Sequence, residues 1–392
     1  MRVVMWYHSL LSDWNHGNAH FLRGVATELT GRGYKVRVFE PVDSWSRNNL
    51  VETHGLQPIR EFHRVYPWLT SNLYSLRNLD LNEALADADV VIVHEWNEPD
   101  LVQRIGEHKA ARGSYVLLFH DTHHRSATDP AAMARYDLRH YDGVLAFGNT
   151  VRDIYLRNRW ARRAWTWHEA ADTRTFRPLR SRWPAATCGS HDADSSTGGD
   201  LVWIGNWGDD ERSAELQEYL IDPVRQLGLR ATVFGVRYPD HARARLARAG
   251  IMYGGWLPNY RVPEVFARFR LTIHVPRRPY AQALPGIPTI RVFEALACGM
   301  PLISAPWYDD EHLFVPGRDF LFARDGREMK KHLERVLQDR AFARGMAACG
   351  HRRVLARHTC RHRADQLLGI IREIQSWQSE RRARSARRRF HA

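Results

Sequence analysis

Two charged residues interrupt an apolar stretch of the sequence at residues 286–306, GIPTIRVFEALACGMPLISAP. Pro288 suits the first turn of a helix, because its φ angle is already fixed and its missing N–H would have no partner there anyway. Gly299 is typical of a residue just past a helix end. The pattern therefore predicts a helix over residues 288–298, with Arg291 and Glu294 as neighbours on one side near its beginning.

This pair of side chains could hold a nucleotide. The unpaired amides of Thr289 and Ile290 and the guanidinium of Arg291 could bind phosphate oxygens at the helix N-terminus. The Glu294 carboxylate, one turn further on, could accept hydrogen bonds from two vicinal sugar hydroxyls. An ordinary surface ion pair between Arg291 and Glu294 would also explain the two residues. The motif alone leaves both interpretations open.

Such chemistry needs a scaffold, and the sequence predicts parallel sheets. A short β-rich run, RVVMWYHSL, is followed by apolar residues at helical spacing and then by a second strand, KVRVFEP. A strand–helix–strand unit places its two strands in parallel. The runs ADVVIVHEWNEP, SYVLLFHDTHH and YDGVLAFGNT each end in a polar tip. Open α/β sheets bind their ligands at these carboxyl ends of strands.

The composition changes between Pro178 and Asp200, where Ser, Gly, Asp and Ala dominate without apolar periodicity. The strand–helix alternation then restarts with LVWIGNWG and continues through RATVFGV, GIMYGGWLP, LTIHVPR, PLISAPW and DFLFARD. The pattern therefore predicts two doubly wound α/β domains. Their predicted bounds are residues 1–178 and 201–362, with a flexible linker over 179–200, a helix over 363–380 that crosses back to the first domain, and a basic tail over 381–392.

Length and composition agree with this organisation. A chain of 392 residues suffices for two domains, and 44% hydrophobic with 26% charged residues is typical of a globular protein. No apolar run approaches the roughly 18 residues of a membrane-spanning helix. The four cysteines show no CxxC spacing, which argues against a zinc or disulfide framework. We therefore expect a cytoplasmic protein.

The net charge of +13 is unevenly distributed, because the C-terminal segment RRARSARRRFHA carries six arginines and no acid. Two interpretations of this tail remain open: peripheral contact with an anionic membrane, or a solvated end. Nucleic acid is not expected as a partner. The arginines are not interleaved with aromatic residues, and the sequence contains no recognisable nucleic-acid-binding fold.

Several segments resemble the retaining glycosyltransferases of family 4, and more narrowly their CgeB-like (spore maturation protein) branch. In the C-terminal half these are RVFEALACGMPLIS, PGRDFLFARD and HTCRHRADQLL; in the N-terminal half they are SDWNHGNAHFLRGVATELTGRGYKVRVFE, YDGVLAFGNTVRDIY and HEAADTRTFRP. The resemblance implies a GT-B fold, in which two Rossmann-like domains face each other across a cleft. The C-terminal domain would hold a nucleotide-sugar donor and the N-terminal domain an acceptor. It also implies catalysis without a metal or another cofactor.

Carried over to this sequence, the resemblance assigns Glu294 to the ribose of the donor. The family's first glutamate, eight positions earlier, is Gly286 here. Contacts to the transferred sugar would then come from backbone amides around Ile287 to Thr289, with Pro288 in the same donor-binding segment.

The segment WIGNWGDDERSAEL would meet the diphosphate through Gly205, Asn206 and Arg212. Arg212 and Arg291 would stabilise the negative charge that grows on the leaving group. Gly235 and Trp256 would flank the base. The alternatives are a solvated Arg212 beside its acidic neighbours and a Trp256 that belongs to the core.

In the N-terminal domain, His120 of FHDTHH falls where related enzymes carry an active-site histidine. It could orient the acceptor hydroxyl or accept its proton, with Asp121 fixing its tautomer. His123 is a weaker, acceptor-binding candidate. A structural histidine at a strand end is one alternative; a zinc site is another, but it lacks a second pair of ligands elsewhere in the sequence.

Two further loops would face the acceptor. Their candidate residues are His16, Gly17, Asn18 and His20 in NHGNAH, and Glu95 and Asn97 in HEWNEPD. Helix capping alone would explain Asn18, and a solvated turn would explain Glu95 and Asn97.

The sequence thus predicts a retaining, metal-independent glycosyltransferase that moves a hexose from a UDP or GDP sugar to a hydroxyl acceptor, which would be a glycan, a lipid-linked molecule or a small natural product. The alternative is a catalytically weak or inactive nucleotide-sugar-binding protein of the same fold, because Gly286 replaces a glutamate. An NAD-dependent oxidoreductase is improbable, since HGNAHF supplies one of the three glycines of the dinucleotide fingerprint.

Overall fold

The computed structural model describes residues 1–179 and 198–390, without the side chains of Asp209 and of residues 381–390. The chain divides into two compact units. Unit 1 comprises Met1–Ser12, Leu22–His168 and Cys360–Ala392, and unit 2 comprises Asp13–Phe21 and Glu169–Thr359. Most of the predicted linker, residues 180–197, lies outside the described residues.

Unit 1 contains a sheet of seven parallel strands in the order β3-β2-β1-β4-β5-β6-β7. The strands are β1 (Arg2–Trp6), β2 (Lys35–Pro41), β3 (Ser71–Tyr74), β4 (Val90–His94), β5 (Val116–Asp121), β6 (Gly143–Ala146) and β7 (Ala164–Thr166). Strands β4, β5 and β6 are buried along their whole length, as expected of central parallel strands covered on both faces.

Helices connect these strands and cover the sheet. They are α1 (Ala19–Gly31), α2 (Trp45–His54), α3 (Gln57–Val65), α4 (Leu81–Leu85), α5 (Pro99–Arg112), α6 (Arg125–Thr128), α7 (Pro130–Met133) and α8 (Asn149–Arg157), together with the last helix of the chain, α17 (Cys360–Phe390). Helix starts follow local rules: Pro99 begins α5, and the Asp80 side chain accepts hydrogen bonds from the first amides of α4.

Unit 2 contains a sheet of six parallel strands in the order β10-β9-β8-β11-β12-β13. The strands are β8 (Gly199–Ile204), β9 (Ala231–Phe234), β10 (Met252–Tyr253), β11 (Phe269–His274), β12 (Leu302–Ser304) and β13 (Leu321–Phe322). The order is the doubly wound one, in which the chain starts in the middle, winds to one edge and then to the other.

The helices of unit 2 pack on this sheet around a core that includes Trp203, Leu216, Val233 and Ile303. They are α9 (Ser213–Leu216), α10 (Asp222–Leu227), α11 (Asp240–Arg248), α12 (Val262–Phe266), α13 (Arg278–Ala283), α14 (Ile290–Ala297), α15 (Gly326–Gln338) and α16 (Arg340–Arg357), and a π-helical turn, Gln217–Ile221, joins α9 to α10. Helix α14 lies within the predicted range 288–298, and Gly299 after it has a positive φ of 66°.

The observed units differ in their bounds from the predicted domains. Residues 169–178 belong to unit 2 rather than to unit 1, because the buried side chains of this segment contact unit 2, as His20 does with Phe176. The last helix begins at Cys360 and runs to Phe390, beyond the predicted 363–380 on both sides. It belongs to unit 1. None of the helices within the described residues combines the length and the apolar character needed to cross a bilayer.

Candidate functional site

The strand order of unit 2 reverses between β8 and β11, so the loops that follow these strands diverge at the carboxyl edge of the sheet. An open pocket lies among loops of this unit. Its lining includes predicted residues from five separate segments, namely His16, Gly17, Gly205, Asn206, Gly235, Trp256 and Arg291. Its other lining residues are Asp13, Asn15, Ile204, Val236, Leu257 and Asn259. We call this the unit 2 pocket.

Backbone-to-backbone proximity shapes one wall of the pocket. Gly235 has a φ of 154°, and a Cβ atom there would lie 2.1 Å from the carbonyl oxygen of Gly205. The neighbouring Asn206 side chain accepts a hydrogen bond from the Val236 amide (2.9 Å) and donates one to Asn15 Oδ1 (2.5 Å). A side chain larger than hydrogen at 235 would therefore separate the two strand tips.

Asp13 holds another wall of the pocket. Its carboxylate accepts hydrogen bonds from the indole N–H of Trp256 (3.1 Å) and from the amide of Asn259 (2.9 Å). Trp256 is half-buried and anchored at its edge. Sequence reasoning missed Asp13 and Asn259, because these partners lie more than 200 positions apart and carry no common local pattern.

Three arginines concentrate positive charge beside the pocket. Arg212 donates hydrogen bonds to the carbonyl oxygens of Val275 (3.0 Å) and Asn206. Burial lowers the pKa of Arg212 to about 10, and the positive charges of Arg277 and Arg291 contribute to the decrease. Its Nε atom has no hydrogen-bond partner among the residues that the structure describes. The predicted Arg212 is thus a buried cation rather than a solvated one, and an anion would be stabilised next to it.

Arg277 is a site residue that the sequence reasoning missed. It forms an ion pair with Glu211 at 3.3 Å. Its charge also reaches His16, whose pKa is lowered to about 4 by burial and by Arg277, against an opposing effect of Asp13. His16 is therefore neutral near pH 7. The available signal was the position of Arg277 just after β11, at the point where the strand order reverses.

The N-terminus of α14 is occupied by a carboxyl group of the protein itself. The Ile290 amide donates a hydrogen bond to Glu169, which is buried. Burial and the nearby Glu294 raise the pKa of Glu169 to about 8, although Arg291 and the Ile290 amide act in the opposite direction. The helix start is therefore not the open phosphate site predicted from its sequence. Glu169 stands where the phosphate was expected.

The residues just before α14 are also less accessible than predicted. Ile287, Pro288 and Ile290 are buried, and the Ile287 amide donates to the Leu284 carbonyl oxygen at 3.3 Å. Thr289 is half-buried, and its hydroxyl is hydrogen-bonded to His274 Nε2 at 3.0 Å. Among these four positions, Thr289 is the most available to a ligand.

Glu294 is fully buried, with both carboxylate oxygens engaged. Oε1 accepts a hydrogen bond from His20 Nδ1 (2.8 Å), and Oε2 accepts one from Arg291. His20 Nε2 lies 2.8 Å from the Asp172 amide, which can only donate. The proton of a neutral His20 is therefore on Nδ1. These contacts within the protein differ from the predicted contact of Glu294 with a ribose. They fix the position of Arg291.

Gly286, the position of the missing glutamate, lies against another carboxylate. Its φ is 89°, and a Cβ atom there would be 2.6 Å from Glu311 Cγ and 3.0 Å from Glu311 Oε1. A side chain at 286 would therefore overlap with that of Glu311. The local fold brings a carboxylate to the space beside residue 286 from a neighbouring segment.

In unit 1, His120 is the penultimate residue of strand β5 and is 1% exposed. Its Nδ1 atom is hydrogen-bonded to the Tyr7 hydroxyl at 2.6 Å, and burial lowers the pKa of His120 to about 3. Asp121 instead accepts hydrogen bonds from the Tyr155 hydroxyl (2.9 Å) and the His123 amide (3.0 Å). Successive residues of a strand point to opposite faces, so Tyr7, and not Asp121, orients the His120 ring.

The tip after β4 contains the other predicted residues of unit 1. Glu95 is fully buried and paired with Arg125; burial and the nearby Asp121 raise its pKa to about 8. Asn97 donates hydrogen bonds to the carbonyl oxygens of Trp6 and His94, each at 2.8 Å. Neither residue is part of a solvated turn, and Asn97 holds the tip of the neighbouring strand.

Two predicted residues have simpler surroundings. The His123 ring meets the edge of Trp96 at 5.1 Å between ring centroids, and Asn18 directly precedes α1, at the position of a helix cap. Within residues 1–179 and 198–390, no three side chains of His, Cys, Asp or Glu are grouped so as to hold a metal ion.

Comparisons with known proteins bear on the fold. A family profile described as glycosyl transferase-like matches residues 212–369, a segment that contains all three arginines. Sucrose-phosphate synthase from Thermosynechococcus elongatus superposes with a TM-score of 0.64 over 96% of this chain and 99% of that chain, at 14% identity. HepE from Anabaena, in complex with UDP and glucose, gives 0.63 over 95% and 100%, at 12% identity.

A glycosyltransferase from Rickettsia africae gives a TM-score of 0.64 over 95% of this chain and 98% of that chain, at 11% identity. None of the curated protein sequences is significantly similar. At these identities the likeness concerns the fold. With its two sheets of parallel strands, the chain has the predicted α/β architecture of GT-B glycosyltransferases.

Proposed function

We propose that the protein is a retaining glycosyltransferase of the CgeB-like branch of family 4, which transfers a hexose from a UDP or GDP sugar to a hydroxyl acceptor. The observation that carries this proposal is the group of Arg212, Arg277 and Arg291 beside the unit 2 pocket. The family profile covers all three residues. Structural relatives bound to UDP and to UDP-glucose support the choice of ligand.

The arginines would bind the diphosphate of the donor. A departing nucleoside diphosphate gains negative charge in the transition state, and preorganised cations in a partly buried site stabilise that charge. Burial lowers the pKa of Arg212, and repulsion by Arg277 lowers it further; a bound diphosphate would relieve this repulsion. Three fixed cations provide the electrostatic stabilisation that a metal ion gives in other transferases. We therefore propose metal-independent transfer.

Glu294 would act in this site as a positioning residue. Its buried carboxylate holds Arg291 and is itself fixed by His20. The hydroxyls of the ribose would then be bound by polar side chains of the pocket lining, such as Asn15 and Asn206. The transferred sugar would meet the carboxylate of Glu311, which lies beside Gly286.

His120 would orient the acceptor hydroxyl. With a pKa of about 3, its imidazole is neutral at physiological pH and can accept a hydrogen bond or a proton. The Tyr7 hydroxyl fixes the ring through Nδ1, so Nε2 would be the atom that interacts with the acceptor. Asp121 and Glu95 would act on this site by holding the strand tips, through Tyr155 and Arg125 respectively, rather than by contact with His120.

Nucleotide binding tests the proposal. We expect UDP, GDP or one of their sugars to raise the melting temperature, because a ligand that binds the folded state stabilises it. Replacing Arg277 by Gln should weaken the effect at least tenfold in Kd, since a hydrogen bond between charged groups contributes about 1.5–3 kcal/mol. Arg245→Gln, on the exposed face of α11, is the matched control. If no nucleotide changed the melting temperature, the donor site would be refuted.

Donor hydrolysis then separates the enzyme from an inactive nucleotide-sugar-binding protein. An enzyme should release hexose slowly from the donor that gives the largest stabilisation, even without its acceptor. A protein that binds the donor but releases no hexose and glycosylates no hydroxyl compound would support the alternative, which Gly286 in place of a glutamate favours.

A further inference from the structure

Basic side chains surround two neighbouring pockets on unit 1. The pockets are open, and both are lined by Arg139 and Arg162; the larger of the two is also lined by Lys109 and Asp142. We call their cationic lining the basic face. It comprises Lys109, Arg135, Arg139, Arg159, Arg162 and Arg163. None of these residues belongs to the sites described above.

Among the described residues, carboxylates pair with two of these six cations. Arg139 is paired with Asp137, with the closest contact at 2.6 Å, and Lys109 is paired with Asp142. Within the described part of the chain, the remaining four cations form no ion pair with a carboxylate. They are Arg135, Arg159, Arg162 and Arg163. The basic face therefore carries uncompensated positive charge around concave surfaces, which suits an anionic partner.

Helix α17 joins this face. The Arg163 guanidinium lies 4.0 Å from the centroid of the Trp377 ring, and Gln378 donates a hydrogen bond to Asp142 at 3.1 Å. Asp142 lines the larger pocket. The run of six arginines in the sequence begins at Arg381, one helical turn further along α17, whose backbone continues to Phe390. The arginine-rich segment of the sequence thus follows, along the same helix, the residues that contact the basic face.

We propose that the basic face and the arginine-rich end of α17 form one docking surface for anionic phospholipid headgroups. Open pockets lined by arginines match phosphate groups, for which the planar guanidinium is well suited. Each basic residue close to an anionic membrane surface contributes about 1 kcal/mol to binding. The inference does not depend on the proposed transferase activity.

The arrangement of Trp165 and Trp377, which lie beside this face, favours a membrane over nucleic acid. Proteins that bind single strands offer exposed aromatic rings on which bases stack. Here Trp165 and Trp377 are stacked on each other at 6.2 Å between centroids, and Arg163 covers Trp377. These rings are already occupied, so they offer no stacking platform. Headgroup phosphates need only the guanidinium groups.

Vesicle sedimentation of the full chain tests the proposal. The probes are vesicles of phosphatidylcholine alone and of phosphatidylcholine mixed with phosphatidylglycerol, at low and high salt. The double variant Arg135→Gln/Arg162→Gln should bind the anionic vesicles roughly 30-fold more weakly than the unchanged protein, as expected for two lost basic contacts. The control Arg245→Gln/Arg248→Gln removes the same charge from the exposed face of α11 in unit 2 and should bind normally.

Several results would overturn the proposal: equal binding by the double variant and the control, equal sedimentation with neutral vesicles, or insensitivity to salt. A single-stranded oligonucleotide that bound more tightly than the anionic vesicles, and lost its affinity in the double variant, would identify a nucleic-acid surface instead. A chain that ends at Glu380 should also bind the anionic vesicles more weakly than the full chain. Unchanged binding would refute the part that we assign to α17.

Discussion

Because His20, Glu294 and Arg291 form a buried network, replacing Glu294 should cost more stability than replacing a carboxylate in a surface ion pair. In Glu294→Gln, the amide keeps one acceptor oxygen but replaces the other with a donor NH₂ group. That donor would face either His20 Nδ1–H or Arg291, both of which are donors in the native structure. Moving the His20 proton to Nε2 would not help, because Nε2 accepts from the Asp172 amide.

The magnitude follows from burial. Breaking a buried charge pair by changing one partner costs about 3–5 kcal/mol. The Glu294 side chain is completely buried and that of Arg291 is 22% exposed, which places the loss near the lower limit. We therefore expect the free energy of unfolding to fall by about 3 kcal/mol. For a domain of 150–250 residues this lowers the melting temperature by roughly 6–12 °C.

Urea unfolding of a matched pair of variants provides the assay. Glu264 pairs with Arg261 at the same i,i+3 spacing, but both side chains are about half exposed. Glu264→Gln should therefore cost less than about 1 kcal/mol. The Glu294→Gln variant should also bind nucleotides more weakly, since Arg291 loses the group that holds it. Equal losses of stability in the two variants would refute the reasoning.

Three further predictions concern single positions. In urea unfolding, Gly286→Ala should destabilise the protein by more than Gly317→Ala, because both glycines have positive φ but, of the two, a Cβ at 286 would meet a neighbour, Glu311. Combining Gly286→Ala with Glu311→Ala should remove this additional loss of stability. The pKa of Glu169 is raised to about 8 in the folded state, so that state binds more protons than the unfolded chain from about pH 4.5 to 8 and loses stability as the pH rises. Glu169→Gln should reduce this loss of stability. Identical urea midpoints of wild type and variant at both pH 5 and pH 8 would contradict this prediction. His120→Ala should retain nucleotide binding in thermal-shift assays and lose transfer by at least 100-fold, and intact turnover would remove His120 from the mechanism.

Much of the fold could be predicted from the sequence, because central parallel strands are continuous apolar runs bounded by polar tips. The strands that escaped prediction, β3 (SNLY) and β7 (AWT), lie at the two edges of the unit 1 sheet. Their residues are mostly half-buried. Edge strands need fewer apolar residues, so their composition does not distinguish them from loops.

The candidate site was predictable where a residue's role depends on its own position at a strand tip. Gly205, Asn206 and Gly235 all line the unit 2 pocket for this reason. Contacts between distant segments were not predictable. Nothing in the local sequence indicates that Glu169 meets the first amide of α14, or that Asp13 binds the indole of Trp256. Adjacent residues of a strand face opposite sides, so strand geometry alone argues against Asp121 as the residue that fixes the His120 tautomer.

Helix α17 also has a consequence for biosynthesis. Its contacts with the rest of unit 1 include a hydrogen bond from the Trp167 indole to the Arg363 carbonyl oxygen, an ion pair between Arg32 and Asp365, and a hydrogen bond from the Trp165 indole to Glu373. A ribosome makes residues 22–168 long before these partners, and all but nine residues of unit 2 are translated in between. Unit 1 therefore remains incomplete along this surface until translation has passed Gln378, which donates a hydrogen bond to Asp142. Chaperones that protect nascent chains have their longest opportunity to act on this half of the protein.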